Sequence, residues 1–196
     1  MAAINTSLLR LDDVFTTSNG SKICRLFDGD SPLVLMPEIM RSPFNAGTFD
    51  RDPHAKRLNL QLAVDDPSLL SSLQAFDEWM IGYVTENSER LFKRAWIREQ
   101  VKLGYVPVIR QPAKEGHSPL LKVKFDTEGS YCLVCWNPND ERVLPLEDWT
   151  NAQIRPRPHF SHLWIMGSQF GLVCRLTDAK ILSKAQVDAV RTCPFQ

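Results

Sequence analysis

The stretch Pro119-Leu120-Leu121-Lys122-Val123-Lys124-Phe125 decides the reading of this chain, because apolar residues at 121, 123 and 125 alternate with lysines at 122 and 124. Successive side chains of a strand leave opposite faces of a sheet, so the segment turns one face to a core and a cationic face elsewhere. Two ammonium groups about 7 Å apart along one strand suit a polyanion with a similar charge spacing. The same alternation also keeps an ordinary exposed strand soluble and free of edge pairing. The segment by itself leaves both readings open.

Upstream, Arg57 to Val64 alternates in the same way, with Leu58, Leu60, Leu62 and Val64 on one side. Asp65-Asp66-Pro67 then supplies an N-cap and a first-turn proline. Leu69, Leu73, Phe76, Met80 and Tyr83 follow at helical spacing, which predicts a helix over about 67–86. A second helix is expected from Glu89 to Lys102, where Arg90, Arg94, Arg98 and Lys102 recur every four residues and share one face, with Glu86, Glu89 and Glu99 near enough to neutralise part of it. Nearer the N-terminus, Lys22–Phe27 and Leu33–Met36 flank Asp28-Gly29 and predict a β-hairpin. Residues 37–54 are rich in Pro, Gly and Asn and read as a long loop.

Downstream, Tyr105–Arg110 and Tyr131–Trp136 read as strands, the latter closed by the turn Asn137-Pro138-Asn139-Asp140. Arg155-Pro156-Arg157-Pro158 reads as an extended connection. Phe160–Met166 and Gly171–Leu176, extending toward Leu182, form an expected hairpin around Gly167. The tally is seven or eight short strands with helices inserted after the third. That pattern predicts a mainly β (α+β) fold, an OB-fold-like small β-barrel. Residues 1–20 are expected to be an N-terminal arm, 21–182 the domain and 183–196 a C-terminal tail.

At 196 residues the chain can bury a conventional core without staples. Lysine and arginine number 23 and aspartate and glutamate also 23, so any nucleic-acid reading rests on where charges sit, not on their sum. The five cysteines form an odd, scattered set, which favours reduced thiols in an intracellular protein. The N-terminal ten residues lack the pattern of a signal peptide, and no run approaches the roughly 18 apolar residues of a membrane helix. A soluble protein of the cytoplasm or nucleus, with no membrane partner, is expected.

Catalytic and metal-binding patterns are thin. Cys132-x-x-Cys135 has no second ligand pair at zinc spacing, and in a strand its two thiols point to opposite faces. His159-x-x-His162 is half a site at most. No nucleophile elbow, phosphate-cradling glycine loop or His-Glu-x-x-His helix is found, so no catalytic residue, metal or cofactor is expected. What remains is basic residues interleaved with aromatics. Phe44, Tyr105, Trp136, His159 and Trp164 lie in sequence near Arg41, Arg57, Arg110, Lys122, Lys124, Arg155 and Arg157, and Arg94 and Arg98 add cations from the expected basic helix. Single-stranded nucleic acid needs such a mixture, since cations follow phosphates while flat rings accept unstacked bases. Phe76, Trp79 and Phe125 are assigned to packing instead.

The ordered motifs "LVLMPEIMRSPF" (33–44), "RLNLQLAV" (57–64) with its helix, "YVPVIR" (105–110), "PLLKVKF" (119–125) and "LWIMGSQFGLVCRL" (163–176) resemble the phage-like single-stranded-DNA-binding proteins of nucleo-cytoplasmic large DNA viruses. The resemblance covers roughly residues 20–182. It implies an OB-fold that coats single-stranded DNA in replication, recombination or repair without a cofactor, with Lys122 and Lys124 as basic positions and the region around Trp164 and Phe170 contributing to the face. RNA as an additional ligand, self-association and replication proteins are further partners to expect in a viral replication compartment. Phage members of the wider group end in an acidic tail with a terminal aromatic; here Phe195 is present and the acidic run is not. A β-rich virion or scaffold subunit is the alternative, and it accounts better for zero net charge.

Overall fold

The computed structural model describes residues 4–48, 52 and 55–184. A 3-10 turn at Thr6–Leu8 leads into β1 (Leu9–Leu11) and β2 (Phe15–Thr16), followed by β3 (Lys22–Asp28), β4 (Leu33–Val34), β5 (Met40–Ser42) and β6 (Arg57–Ala63). Three helices come next: α1 (Pro67–Glu86), α2 (Ser88–Phe92) and α3 (Arg98–Gly104). The remaining strands are β7 (Tyr105–Val106), β8 (Ile109–Arg110), β9 (Leu120–Asp126), β10 (Val134–Trp136), β11 (Arg142–Val143), β12 (Ala152–Met166) and β13 (Gln169–Lys184). The fold is therefore mainly β with few helices, as the class expectation has it. The described residues nevertheless form thirteen strands where the tally predicts seven or eight, and the helices follow the sixth strand and not the third, because β1, β2 and β5 are short pieces added ahead of them.

The spine is the long hairpin β12–β13, joined by a two-residue turn at Gly167-Ser168. Gly167 sits at φ +61, the left-handed first position that a tight hairpin requires. One edge of β12 is covered in succession by β3, β4 and β5, all antiparallel. From β5 the ladder continues through β6 and β9 to β13, which pairs with β12 again. Inside lie Leu60, Leu62, Leu121, Val123, Ile154, Phe160 and Leu163, all fully buried.

Helix α1 forms where predicted. The Asp66 side chain accepts from the Ser68 amide at 2.8 Å, Pro67 opens the first turn, and Leu69, Leu73, Phe76 and Met80 make the buried stripe. Phe76 meets Phe160 with ring centroids 4.9 Å apart, which fixes the helix against β12.

Several expectations change. The Asp28-Gly29 turn forms, but β4 pairs with β12 and not back on β3, because Leu33 and Leu35 are buried in the core. The expected loop 37–54 contains β5. The expected second helix breaks at Lys93, whose φ of 59 caps α2 in the left-handed region. The break lets Phe92 and Trp96 stack at 4.4 Å, with Phe92 5.3 Å from Phe170. Tyr105–Arg110 splits into β7 and β8, which pair with different strands.

Arg155–Pro158 is not a connection but the middle of β12. Pro156 and Pro158 point inward and Arg155 and Arg157 outward. The prolines fall between Ile154 and His159, where the β3–β5 edge supplies no strand pair, and beside a register shift with β13, so their missing N–H groups cost the ladder little. The expected arm is part of the sheet: β1 and β2 pair with β3, and Leu9 and Leu11 enter the core. Of the expected tail, residues 185–196 lie outside the described residues.

Candidate nucleic-acid interface

β9 buries Leu121, Val123 and Phe125 and leaves Lys122 exposed and Lys124 half-buried. On one side β6 sets Gln61 opposite Lys122, Asn59 opposite Lys124 and Arg57 opposite Asp126. On the other, β13 sets Arg175 beside Lys124, and β12 sets His159 beside Arg175, His162 beside Val173 and Trp164 beside Gly171. β3 then brings Arg25 next to His162. Cross-strand partners share a face. A band of cations, imidazoles and one indole therefore crosses five strands. Gly171 lets strands approach closely in it, since a Cβ there would lie 3.1 Å from Trp164 Cζ2 and 3.0 Å from the Val106 carbonyl oxygen.

Electrostatics of the band are set by crowding. Burial, then Lys122, Arg57 and Arg175, push the Lys124 ammonium below its ordinary value. Burial also pushes His162 down from 6.5 to about 4, with Arg175, Lys124 and Arg57 adding to the effect. Burial alone would raise the Asp126 carboxyl, but Arg57 at 2.5 Å and Arg175 at 3.0 Å hold it low. One carboxylate thus ties down two guanidinium groups.

The remaining cations divide by whether a carboxylate has already claimed them. Arg98 pairs with Glu78 at 2.6 Å, Arg155 with Glu38 at 3.6 Å and Arg157 with Asp178 at 3.9 Å. Among the described residues, no ion pair uses Lys122, Lys124, Arg110 or Arg94. Arg110 and Lys122 line one cleft of about 540 Å³ on the outward side of β6, β8 and β9. At the other end, Trp164 and Arg94 line a cleft of about 880 Å³ with Trp96 and Lys22, and the Arg94 guanidinium sits 5.7 Å from the Trp96 ring centroid.

Lys122, Lys124, Arg57, Arg110, Trp164 and Arg94 are thus placed along one outward face and its two clefts. Arg155 and Arg157 stand on the outward row of β12, engaged by acids, and Trp136 donates to Asp178 at 3.4 Å beside them. Arg98 is held against α1. The expectation that Arg90, Arg94, Arg98 and Lys102 share a helix face fails with the helix: Arg90 binds the Asp12 carbonyl and the Asp13 carboxylate, 3.0 Å from each. Tyr105 is no stacking platform. It is buried, and its hydroxyl donates to the buried Asp77 carboxylate at 2.6 Å, which also accepts from the Val108 amide at 3.0 Å. Burial raises the Asp77 carboxyl despite these donors.

Sequence reasoning missed Arg175. Its signal was present, since period-two counting from Gly171 puts Gly171, Val173 and Arg175 on one face. His162 carries a pH prediction. Its folded pKa lies below the unfolded value, so the unfolded chain binds more protons between the two. Stability is therefore present above about 6.5 and is lost as pH falls toward about 4. Urea titrations across that range should show a weaker pH dependence in His162→Gln; an unchanged slope would remove His162 from the acid response.

No protein-family model matches the chain, and no curated protein does. Among solved structures, it is similar to the single-stranded DNA-binding protein from bacteriophage Enc34, with a TM-score of 0.50 and 9% identity over 93% of this chain and 95% of that one. It is also similar to gp2.5, a single-stranded DNA-binding protein encoded by bacteriophage T7, with a TM-score of 0.50 and 9% identity over 81% of this chain and 96% of that one. At that identity the likeness is one of fold, and the chain shares the mainly β architecture of these two phage proteins over most of its length.

Proposed function

We propose that this protein binds single-stranded DNA without sequence specificity, laying the strand across the outward face of β6, β9, β13 and β12. The observation that carries the reading is the set of cations free of carboxylates among the described residues on that face, Lys122, Lys124 and Arg110, with the half-buried Trp164 at its other end. Free cations are available to phosphates, and a ring lying along a sheet accepts an unstacked base. The fold shared with two phage proteins named for this activity supports the same reading.

The finer assignment is an OB-type barrel, supported by the ladder that returns from β13 to β12. The order of the sequence motifs supports a place in the group encoded by nucleo-cytoplasmic large DNA viruses. In that setting the protein is a coating factor and not an enzyme, acting in replication, recombination or repair inside a viral replication compartment of the cytoplasm or nucleus. RNA is a second ligand to assay, and self-association and replication proteins are the partners to seek. Among the described residues, no helix is long and apolar enough to cross a membrane.

Fluorescence anisotropy with labelled oligothymidylate tests the proposal. Binding should weaken steeply with salt, with a slope of log K against log salt near −3 for about four phosphate contacts. Tryptophan emission should be quenched on binding. Absence of binding at low salt would overturn the proposal.

A further inference from the structure

A third cleft of about 510 Å³ adjoins the face and adds Phe44, Pro112 and Lys114, which line neither of the other two. The segment after β5 contributes Phe44, which is 53% exposed although aromatic. The segment between β8 and β9 contributes Pro112 and Lys114, and β6 contributes Gln61. Arg41 and Arg110 complete the basic part, and among the described residues no carboxylate lines the cleft. Among the described residues, no ion pair uses Arg41, Arg110 or Lys114.

The chemistry has two halves. Phe44 and Pro112 offer flat apolar surface, while three cations with no ion pair among the described residues are available to an anion. The volume lies in the range of small-molecule sites. An occupant that is planar and apolar in one part and anionic in the next is a nucleotide. Continuity points the same way: Gln61 and Arg110 line both this cleft and the one containing Lys122, so a strand crossing β9 leads into it. Gln61 is the cross-strand neighbour of Lys122. Its amide can both donate and accept, which suits the edge of a base.

We propose that this cleft captures one nucleotide of the bound strand, with its base against Phe44 and the flanking phosphates on Arg41, Arg110 and Lys114. The proposal rests on the single-stranded DNA reading above. It adds a discrete base pocket to a face that otherwise holds the strand by charge and stacking.

The test compares an ordinary oligothymidylate with an oligonucleotide of the same length made wholly of abasic units, which keeps the phosphates and removes the bases. Phe44→Ala should weaken binding of the ordinary strand about tenfold and leave the abasic strand unaffected, whereas Phe44→Tyr should restore affinity. Arg41→Ala combined with Lys114→Ala should weaken both strands. Circular dichroism checks that each variant folds, which the exposure of Phe44 favours. Equal binding of the ordinary strand by wild type and Phe44→Ala overturns the pocket alone, as does equal weakening of both strands by Phe44→Ala. Failure of the wild-type protein to bind the ordinary strand overturns the functional reading and the pocket with it.

Discussion

Replacing Lys122 and Lys124 together by alanine is expected to lower affinity for single-stranded DNA by roughly ten- to a hundredfold at low salt, uniformly across sequences. The salt slope should become shallower by about 1.4, the share of two phosphate contacts on a single strand. Both side chains leave the outward face of β9, whose inward Leu121, Val123 and Phe125 are untouched. The fold should therefore survive. Stability should stay level or rise, because burial and the neighbouring Lys122, Arg57 and Arg175 already disfavour the charged Lys124. Arg98→Ala is the matched control, since Arg98 is engaged by Glu78 beside α1 and should leave affinity within about twofold. Unchanged affinity in the double variant would remove β9 from the interface.

Gly104→Ala is expected to destabilise the protein by about 3 kcal/mol, the upper part of the range for forced overpacking. Gly104 ends α3, and an added Cβ would lie 2.2 Å from the Ser168 carbonyl oxygen and 3.3 Å from Phe170 Cε1. The first obstacle is backbone of the β12–β13 turn and cannot rotate away, so α3 or the turn must shift. The sign is informative. Alanine for glycine at a helical position ordinarily stabilises by about 1 kcal/mol, so propensity and packing predict opposite outcomes. Thermal unfolding should show a midpoint lowered by about 10 °C. A midpoint equal to or above wild type would mean that α3 is not held against the turn as described.

Much of the local structure was legible in the chain. The cap at Asp66 and the stripe Leu69, Leu73, Phe76, Met80 specify α1, and alternation specifies β6 and β9, because each rests on the period of a single element. The hairpin at Gly167 was legible for the same reason: its turn demands a residue tolerant of positive φ. Arg155–Pro158 was misread because proline is weighed as a lost donor, and whether that donor is missed depends on what lies alongside. Here the neighbouring edge has a gap at that place. The basic helix was misread because spacing by four describes a helix that continues, whereas the chain breaks at Lys93 so that Phe92 and Trp96 can reach Phe170.

For the candidate site, the cationic face of β9 was readable from alternation alone, but the state of each charge was not. Arg57 and Asp126 are 69 residues apart in the chain, yet they pair, and the same carboxylate holds Arg175. Tyr105 reads in sequence as an available ring, whereas in the fold its hydroxyl is engaged by Asp77 of another element. The sequence by itself determined the faces: which side of β6, β9 and α1 is apolar, and that Lys122 and Lys124 point together away from the core. Only the tertiary structure decided which strands neighbour β9, which cations acids neutralise, and which remain for a ligand. The physical reason is that periodicity is a property of one segment, whereas register and ion pairing are set by long-range packing, where a one-residue slip would send every side chain to the other face.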